Sequence, residues 1–155
     1  MRVKDVMTQH PVCCRTSDSA QAVAKALRDE DVGSLPVIAD GNSRQLVGII
    51  TDRDICCTIV AEGLNPVTTS IEAFIKRSPV SCRAEQSLDA CERLMQVYQV
   101  RRLPVVDEQG RCVGMVSQAD LARLEQPDKV HRTVAEISKP ARAILLAASM
   151  IQRAG

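Results

Sequence analysis

Gly48-Ile49-Ile50-Thr51-Asp52-Arg53-Asp54 is one of two matching stretches, and its reading decides the fold. The other is Gly114-Met115-Val116-Ser117-Gln118-Ala119-Asp120. Each reads glycine, two apolar residues, a hydroxyl, two variable positions and an aspartate. The apolar residues read as the end of a buried strand, and the residues after the hydroxyl as the first turn of a helix. Free N–H groups at such a junction form a place where phosphate can bind. A carboxylate there can accept two hydrogen bonds from a diol such as ribose. Alone, each aspartate could be a helix cap, worth up to about 1 kcal/mol. Recurrence together with the glycine and the hydroxyl favours a ligand role.

Working outward, the chain is a duplication. Pro79 aligns with Pro11 and Gly114 with Gly48, the first copy being longer in its turn near Ser43. Ten of the 28 positions from Pro11 to Ile38 recur identically, too many for chance, so a β-α-β-β-α unit occurs twice. One unit is too small to bury much surface alone, so the copies should pack on each other. In the first copy the pattern predicts a strand over 11–14 and a helix capped at Ser17 or Asp18, with Ala20, Val23, Ala24 and Leu27 on its buried stripe. Strands follow over 35–38 and 46–50, the latter buried on both faces, with a turn at Asp40-Gly41-Asn42 between them. Pro36 reads as a strand-start or edge proline. A helix over 54–62 ends at Gly63 and Pro66. Thr69 and Glu72 have capping-box spacing. The second copy predicts strands over 79–82, 103–106 and 112–116, a helical stripe of Leu88, Cys91, Met95 and Tyr98, and a helix following the last strand through about Glu125. Beyond it, 129–138 and 141–153 read as helices separated by Pro140.

The boundaries expected from this pattern are 1–64 for the first repeat, 65–125 for the second and 126–155 for a C-terminal helical tail. A net charge of +1 lacks the basic face that non-specific nucleic-acid binding needs. Tyr98 and Phe74 are the only aromatics, so a bound base must lie between aliphatic side chains. No signal-peptide pattern opens the chain, and no apolar run reaches the roughly 20 residues of a membrane span. A cytoplasmic protein without membrane or nucleic-acid partners is expected. The seven cysteines include no CxxC and lie mostly in apolar segments, reading as small reduced hydrophobes. His10 and His131 are isolated, and no metal site is expected. No nucleophile–base pair and no Gly-rich phosphate loop is legible, so no enzyme is expected.

The duplicated order, with Val32-Gly33-Ser34-Leu35-Pro36-Val37 and Val100-Arg101-Arg102-Leu103-Pro104-Val105 in the middle strands and Gly-x-x-Thr/Ser-x-x-Asp closing each copy, resembles the paired cystathionine-beta-synthase (CBS) domain. The resemblance covers Met1 to Leu124, and Val3-Lys4-Asp5-Val6-Met7-Thr8 is similar to the opening of small stand-alone bacterial members. It implies an α/β (α+β) fold of tandem repeats packed as a pseudo-twofold pair, a Bateman module. It also implies a regulatory role, with AMP, ADP, ATP or S-adenosylmethionine bound between the copies as ligand rather than required cofactor. By resemblance, the aspartate holds ribose, the hydroxyl holds phosphate, and the opposite copy surrounds the adenine. One composite site would use Ser117 and Asp120 with Val12, Cys13, Val32, Gly33 and Ser34, and with Arg102 and Arg101 toward phosphate. The other would use Thr51, Arg53 and Asp54 with Val80, Val100 and Arg101. The resemblance also points to a homodimer through the helices after each motif. Two departures stand out: Phe74-Ile75-Lys76 replaces Val6-Met7-Thr8, and Arg101 replaces Gly33. Two other readings of the chain are a thiol or metal sensor built on the cysteines, and a dimer scaffold that binds no nucleotide.

Overall fold

A computed structural model describes residues 1–39, 42–124 and 126–139. The expected turn at Asp40-Gly41, the end of the helix at Glu125 and the helix over 141–153 lie outside the described residues.

The first repeat runs β1 (Thr8–Gln9), β2 (Cys14–Arg15), α1 (Ala20–Asp29), β3 (Ser34–Ile38), β4 (Leu46–Thr51) and α2 (Asp52–Ile55). The second runs β5 (Lys76–Arg77), β6 (Cys82–Arg83), α3 (Leu88–Tyr98), β7 (Arg102–Val106), β8 (Cys112–Ser117) and α4 (Gln118–Leu124). A further helix, α5 (Pro127–Ile137), follows. Two four-stranded sheets form, in the orders β2-β3-β4-β5 and β1-β8-β7-β6. The repeats exchange their leading strands: β1 pairs antiparallel with β8, and β5 with β4. The registers Thr8↔Met115 and Lys76↔Ile49 occupy matching positions, as a pseudo-twofold requires. Gln45 and Arg111, equivalent in the two repeats, bridge each other on that axis.

The exchange also completes the two cores. Val3, fully buried, joins Leu88, Met95, Leu103, Val116 and Leu121 of the second repeat. Ile71 and Ile75 join Val23, Leu27, Leu35, Val37 and Ile50 of the first. Each such side chain stabilises by about 1.5–3 kcal/mol, so neither sheet is complete without the other repeat. Gly114 is part of the join, because a Cβ there would run into the Met7 side chain and lie 3.2 Å from the Thr8 carbonyl.

Several local expectations are corrected. Ser19, not Ser17 or Asp18, caps α1 by accepting from the Ala22 N–H, while Asp18 accepts from the Arg15 N–H. Ser70, not Thr69, accepts from the Glu72 N–H and opens only a 3₁₀ turn over Ile71–Ala73. The strands expected over 11–14 and 79–82 shrink to β2 and β6, because only their last residues reach parallel partners. Pro36 lies inside an inner strand, tolerated because β2 pairs only beyond it, from Val37. The helix expected over 54–62 is α2 continued by a π-helical turn over Cys56–Val60. β4 is buried on one face and half-buried on the other. Tyr98, the last residue of α3 before Gln99 at φ 51°, is exposed, and Glu92 takes a buried place on the helix.

Helix α5 packs across α3 and α4. Gln96 donates to Thr133 Oγ1 at 2.8 Å, and Lys129 lies 2.9 Å from the buried Glu92 carboxylate. The groove at matching positions of the first repeat, between α1 and α2, is an open cavity of ≈ 580 Å³ lined by Ala24, Leu27, Arg28, Asp31 and Ile55.

Candidate nucleotide cleft

Both strand-to-helix junctions fold into the same local box. Ser117 N and Oγ donate to Asp120 Oδ2 at 2.8 and 2.7 Å, and the Asp120 N–H returns a 3.3 Å bond to Ser117 Oγ. Thr51 N and Oγ1 donate to Asp54 Oδ2 at 2.9 and 2.7 Å, and the Asp54 N–H donates to Thr51 Oγ1 at 3.1 Å. One oxygen of each aspartate is thus committed to capping, which satisfies helix N–H groups that would otherwise lack partners. The Asp120 Oδ1 oxygen accepts from Arg123, one helical turn on, whose side chain is 70% exposed. The β7–β8 register sets Arg102 opposite Ser117, and the β3–β4 register sets Ser34 opposite Thr51.

A cavity of ≈ 310 Å³ opens over Asp120 and is lined by both repeats. Thr8, Pro11, Val12, Glu30, Asp31, Val32, Ser34, Leu35 and Pro36 come from the first, and Arg102, Met115, Ser117, Ala119, Asp120 and Arg123 from the second. Val12 and Val32, 41% and 40% exposed, present apolar surface where two walls face the same space. Ser34 Oγ is buried and has no hydrogen-bond partner among the described residues. The Arg102 guanidinium has no hydrogen-bond or ion-pair partner among the described residues. Its Nη1 lies 3.1 Å from the position a Cβ on Gly33 would take. A larger residue at 33 would therefore push the guanidinium aside.

A second cavity, of ≈ 450 Å³, opens at the Thr51 junction. It is lined by Ile49, Thr51, Asp52 and Arg53 of the first repeat, by Gln99, Val100, Arg101 and Arg102 of the second, and again by Gly33 and Ser34.

Of the residues expected from sequence, Val12, Val32, Ser34, Arg102, Ser117 and Asp120 meet in the first cleft. Thr51, Arg53, Val100 and Arg101 meet in the second, which Gly33 also lines. Cys13 turns its sulfur to Arg44 instead of either cleft. Asp54 stays in its box and does not line the second cleft, and Val80 packs on the second core. Sequence reasoning missed Arg123 and the floor residue Met115. The i,i+3 spacing of Asp120 and Arg123 was the available cue.

Among the described residues no three His, Cys, Asp or Glu side chains gather into a set able to hold a metal ion. No helix among them is long and apolar enough to cross a membrane.

The CBS domain family matches residues 3–60 and 71–126. The chain belongs to the CBS domain family. It carries the domain twice, as a CBS pair. Hypoxic response protein 1 of Mycobacterium tuberculosis is 35% identical over 120 residues, covering 77% of this chain and 82% of that protein. A crystal structure of Hypoxic Response Protein I with two coordinated zinc ions superposes with a TM-score of 0.72 at 32% identity, covering 81% of this chain and 100% of the other. The CBS domain pair of protein MJ0100, in complex with 5′-methylthioadenosine and S-adenosyl-L-methionine, superposes with a TM-score of 0.70 at 29% identity, covering 80% and 94%. CBSX2 of Arabidopsis thaliana in complex with AMP gives 0.67 at 26% identity, covering 79% and 93%. Adenosine compounds thus occupy CBS pairs of this same fold.

Proposed function

We propose that this CBS pair is a regulatory module that binds an adenosine phosphate, AMP first, in the Asp120 cleft and signals through the resulting change of shape. The observation that carries the reading is the cleft's composition. Aliphatic side chains from both repeats, an unpartnered buried hydroxyl and an unpaired guanidinium surround a strand-to-helix junction. Val12 and Val32 flank the adenine, in a chain almost without aromatics. The ribose diol meets Asp120, displacing Arg123 from Oδ1. Arg102 receives the phosphate, a charge-assisted contact worth about 1.5–3 kcal/mol, and the Ser117 hydroxyl turns its one proton from Asp120 Oδ2 to a phosphate oxygen. Because the adenine contacts come from the first repeat and the ribose and phosphate contacts from the second, a bound nucleotide favours one relative setting of the two sheets, and that preference is the signal.

A thermal-shift panel of AMP, ADP, ATP, S-adenosylmethionine and NAD tests the reading. Ligand at 100-fold excess over its Kd stabilises by about 2.7 kcal/mol. If no adenosine compound at millimolar concentration moves the melting temperature, the reading fails. The module is also proposed to act as a homodimer through the helices that follow each junction, where Val60 and Leu124 are exposed. A monomer mass by light scattering at micromolar concentration removes that part.

A further inference from the structure

Cys13 and Cys112 belong to different repeats, yet the fold brings them together beside the Asp120 cleft. Cys13 follows the wall residues Pro11 and Val12 and is half-buried. Cys112 opens β8 and is fully buried. Two backbone bonds hold the spot: His10 N–H to Val113 O at 3.1 Å, and Cys112 N–H to Arg44 O at 2.9 Å. Arg44, at φ 51°, sends its guanidinium between the two segments. Its Nη2 donates to Pro11 O at 3.2 Å and to Cys13 Sγ at 3.3 Å, while its Nε donates to Cys112 O at 3.0 Å. The two thiols donate to backbone, Cys13 to Pro11 O at 3.4 Å and Cys112 to Gly114 O at 3.7 Å, and the two sulfurs are close enough to act on each other's ionisation.

This is the environment of a reactive thiolate with a resolving partner. The neighbouring Cys112 thiol does most to lower the Cys13 thiol, to about 7, with the charge of Arg44 adding to it against the opposing effect of burial. The other cysteines differ. Burial first, then Asp18, pushes Cys14 up to about 12. Cys82 is also lowered, by Cys91 beside it, but both are sealed in the second core, where no arginine among the described residues stands between them, and Cys56 and Cys57 are exposed on the π-helical turn. The pair also breaks the internal symmetry, since Ser81 and Leu46 stand at the matching positions.

We propose that Cys13 and Cys112 form a peroxide-oxidised, reversible disulfide that staples the two repeats together. The Cys13 thiolate attacks one peroxide oxygen. An S–O bond forms, the O–O bond breaks, and the departing hydroxide takes a proton to become water. The Cys112 sulfur then attacks the Cys13 sulfenic acid. An S–S bond forms, the S–O bond breaks, and a second water leaves with the thiol proton. Two thiols and one hydrogen peroxide become one disulfide and two waters, and a dithiol reverses the change.

The test treats the full chain with stoichiometric hydrogen peroxide, alkylates the remaining thiols and maps tryptic peptides. The expected result is loss of two of the seven free thiols and a link between peptides 5–15 and 112–123 within one chain, reversed by dithiothreitol. Fragmentation must place the link on Cys13 rather than Cys14. In Cys112→Ser the link disappears and dimedone traps sulfenic acid at Cys13. Arg44→Gln keeps both thiols and oxidises more slowly, which tests the assignment even where the buried serine variant fails to fold. Seven unreacted thiols, a link at Cys14, oxidation confined to Cys56 and Cys57, or links only between chains would each overturn the proposal. None of these readouts depends on nucleotide binding.

Discussion

At the Asp120 junction the aspartate is only 9% exposed, and its cleft carries Val12, Val32 and Leu35 of the opposite repeat, with Glu30 and Asp31 beside them. At the Thr51 junction an equivalent hydrogen-bonded box faces Arg53, Arg101 and Arg102 with Gln99. The boxes agree to within a few tenths of an ångström, so the difference between the clefts does not arise in the motif. It arises in the opposite repeat, where Val32-Gly33-Ser34 is matched by Val100-Arg101-Arg102. A local heptapeptide specifies a cap, and the partner repeat decides what the cap looks onto. The two residues that line both clefts, Ser34 and Arg102, stand at the same position of the two repeats. Under the proposed reading, a nucleotide bound in one cleft would alter the charge that Arg102 presents to the other.

The largest expected effect separates capping from binding. Asp120→Ala and Asp54→Ala each lose a capping box, so each should destabilise by about 0.5–2 kcal/mol. Their effects on AMP should differ. Asp120→Ala weakens binding by about 10- to 100-fold, or about 1.4–2.8 kcal/mol, as read by calorimetry. Asp54→Ala leaves the principal affinity within about threefold. Equal destabilisation with unequal affinity sharpens the comparison. The reverse order of affinities would mean that the walls are assigned to the wrong clefts.

Arg102→Met is expected next in size. The methionine keeps the apolar stem and removes the charge, so AMP binding falls about tenfold while adenosine binding is unchanged. Arg101→Met, on the second cleft only, moves AMP affinity less. If adenosine and AMP respond alike to Arg102→Met, the guanidinium is packing against the base and the phosphate lies elsewhere.

The pairing of the repeats was legible because it rests on patterns that recur: apolar strands, amphipathic helices and two hydroxyl–aspartate junctions in one order. The exchanged strands β1 and β5 were not legible, since two residues carry no periodicity and their partners belong to the other repeat. In the site, Val12, Val32 and Ser34 were reachable by resemblance. The side of the chain that Cys13 presents was not, because it depends on Arg44, whose left-handed backbone no local pattern announces. Arg123 was missed for a related reason: an i,i+3 pair gains meaning only once Asp120 is known to turn an oxygen toward the cleft. The helix over 127–137 was anticipated close to its place, but its role was not. That role is set by contacts with another element: α5 places Lys129 on Glu92 and Thr133 on Gln96 of α3.

The smallest predicted effect is the most discriminating, because its two parts have opposite signs. Ser34 Oγ is buried without a partner among the described residues, a condition that costs about 1–3 kcal/mol in a folded chain. Ser34→Ala removes that cost without the ligand, while the loss of β propensity at the head of β3 returns part of the gain. The ligand-free protein should therefore melt about 2 °C higher. In the complex the hydroxyl has a nucleotide oxygen or nitrogen to meet, so its loss should weaken AMP by about fivefold, near 1 kcal/mol. Differential scanning calorimetry without ligand and titration with AMP read the two parts separately. A lower melting temperature would mean that the hydroxyl already has a partner in the protein. An unchanged affinity would mean that the base does not reach the shared wall, leaving Val12 and Val32, which line the Asp120 cleft alone, to set it apart from its counterpart.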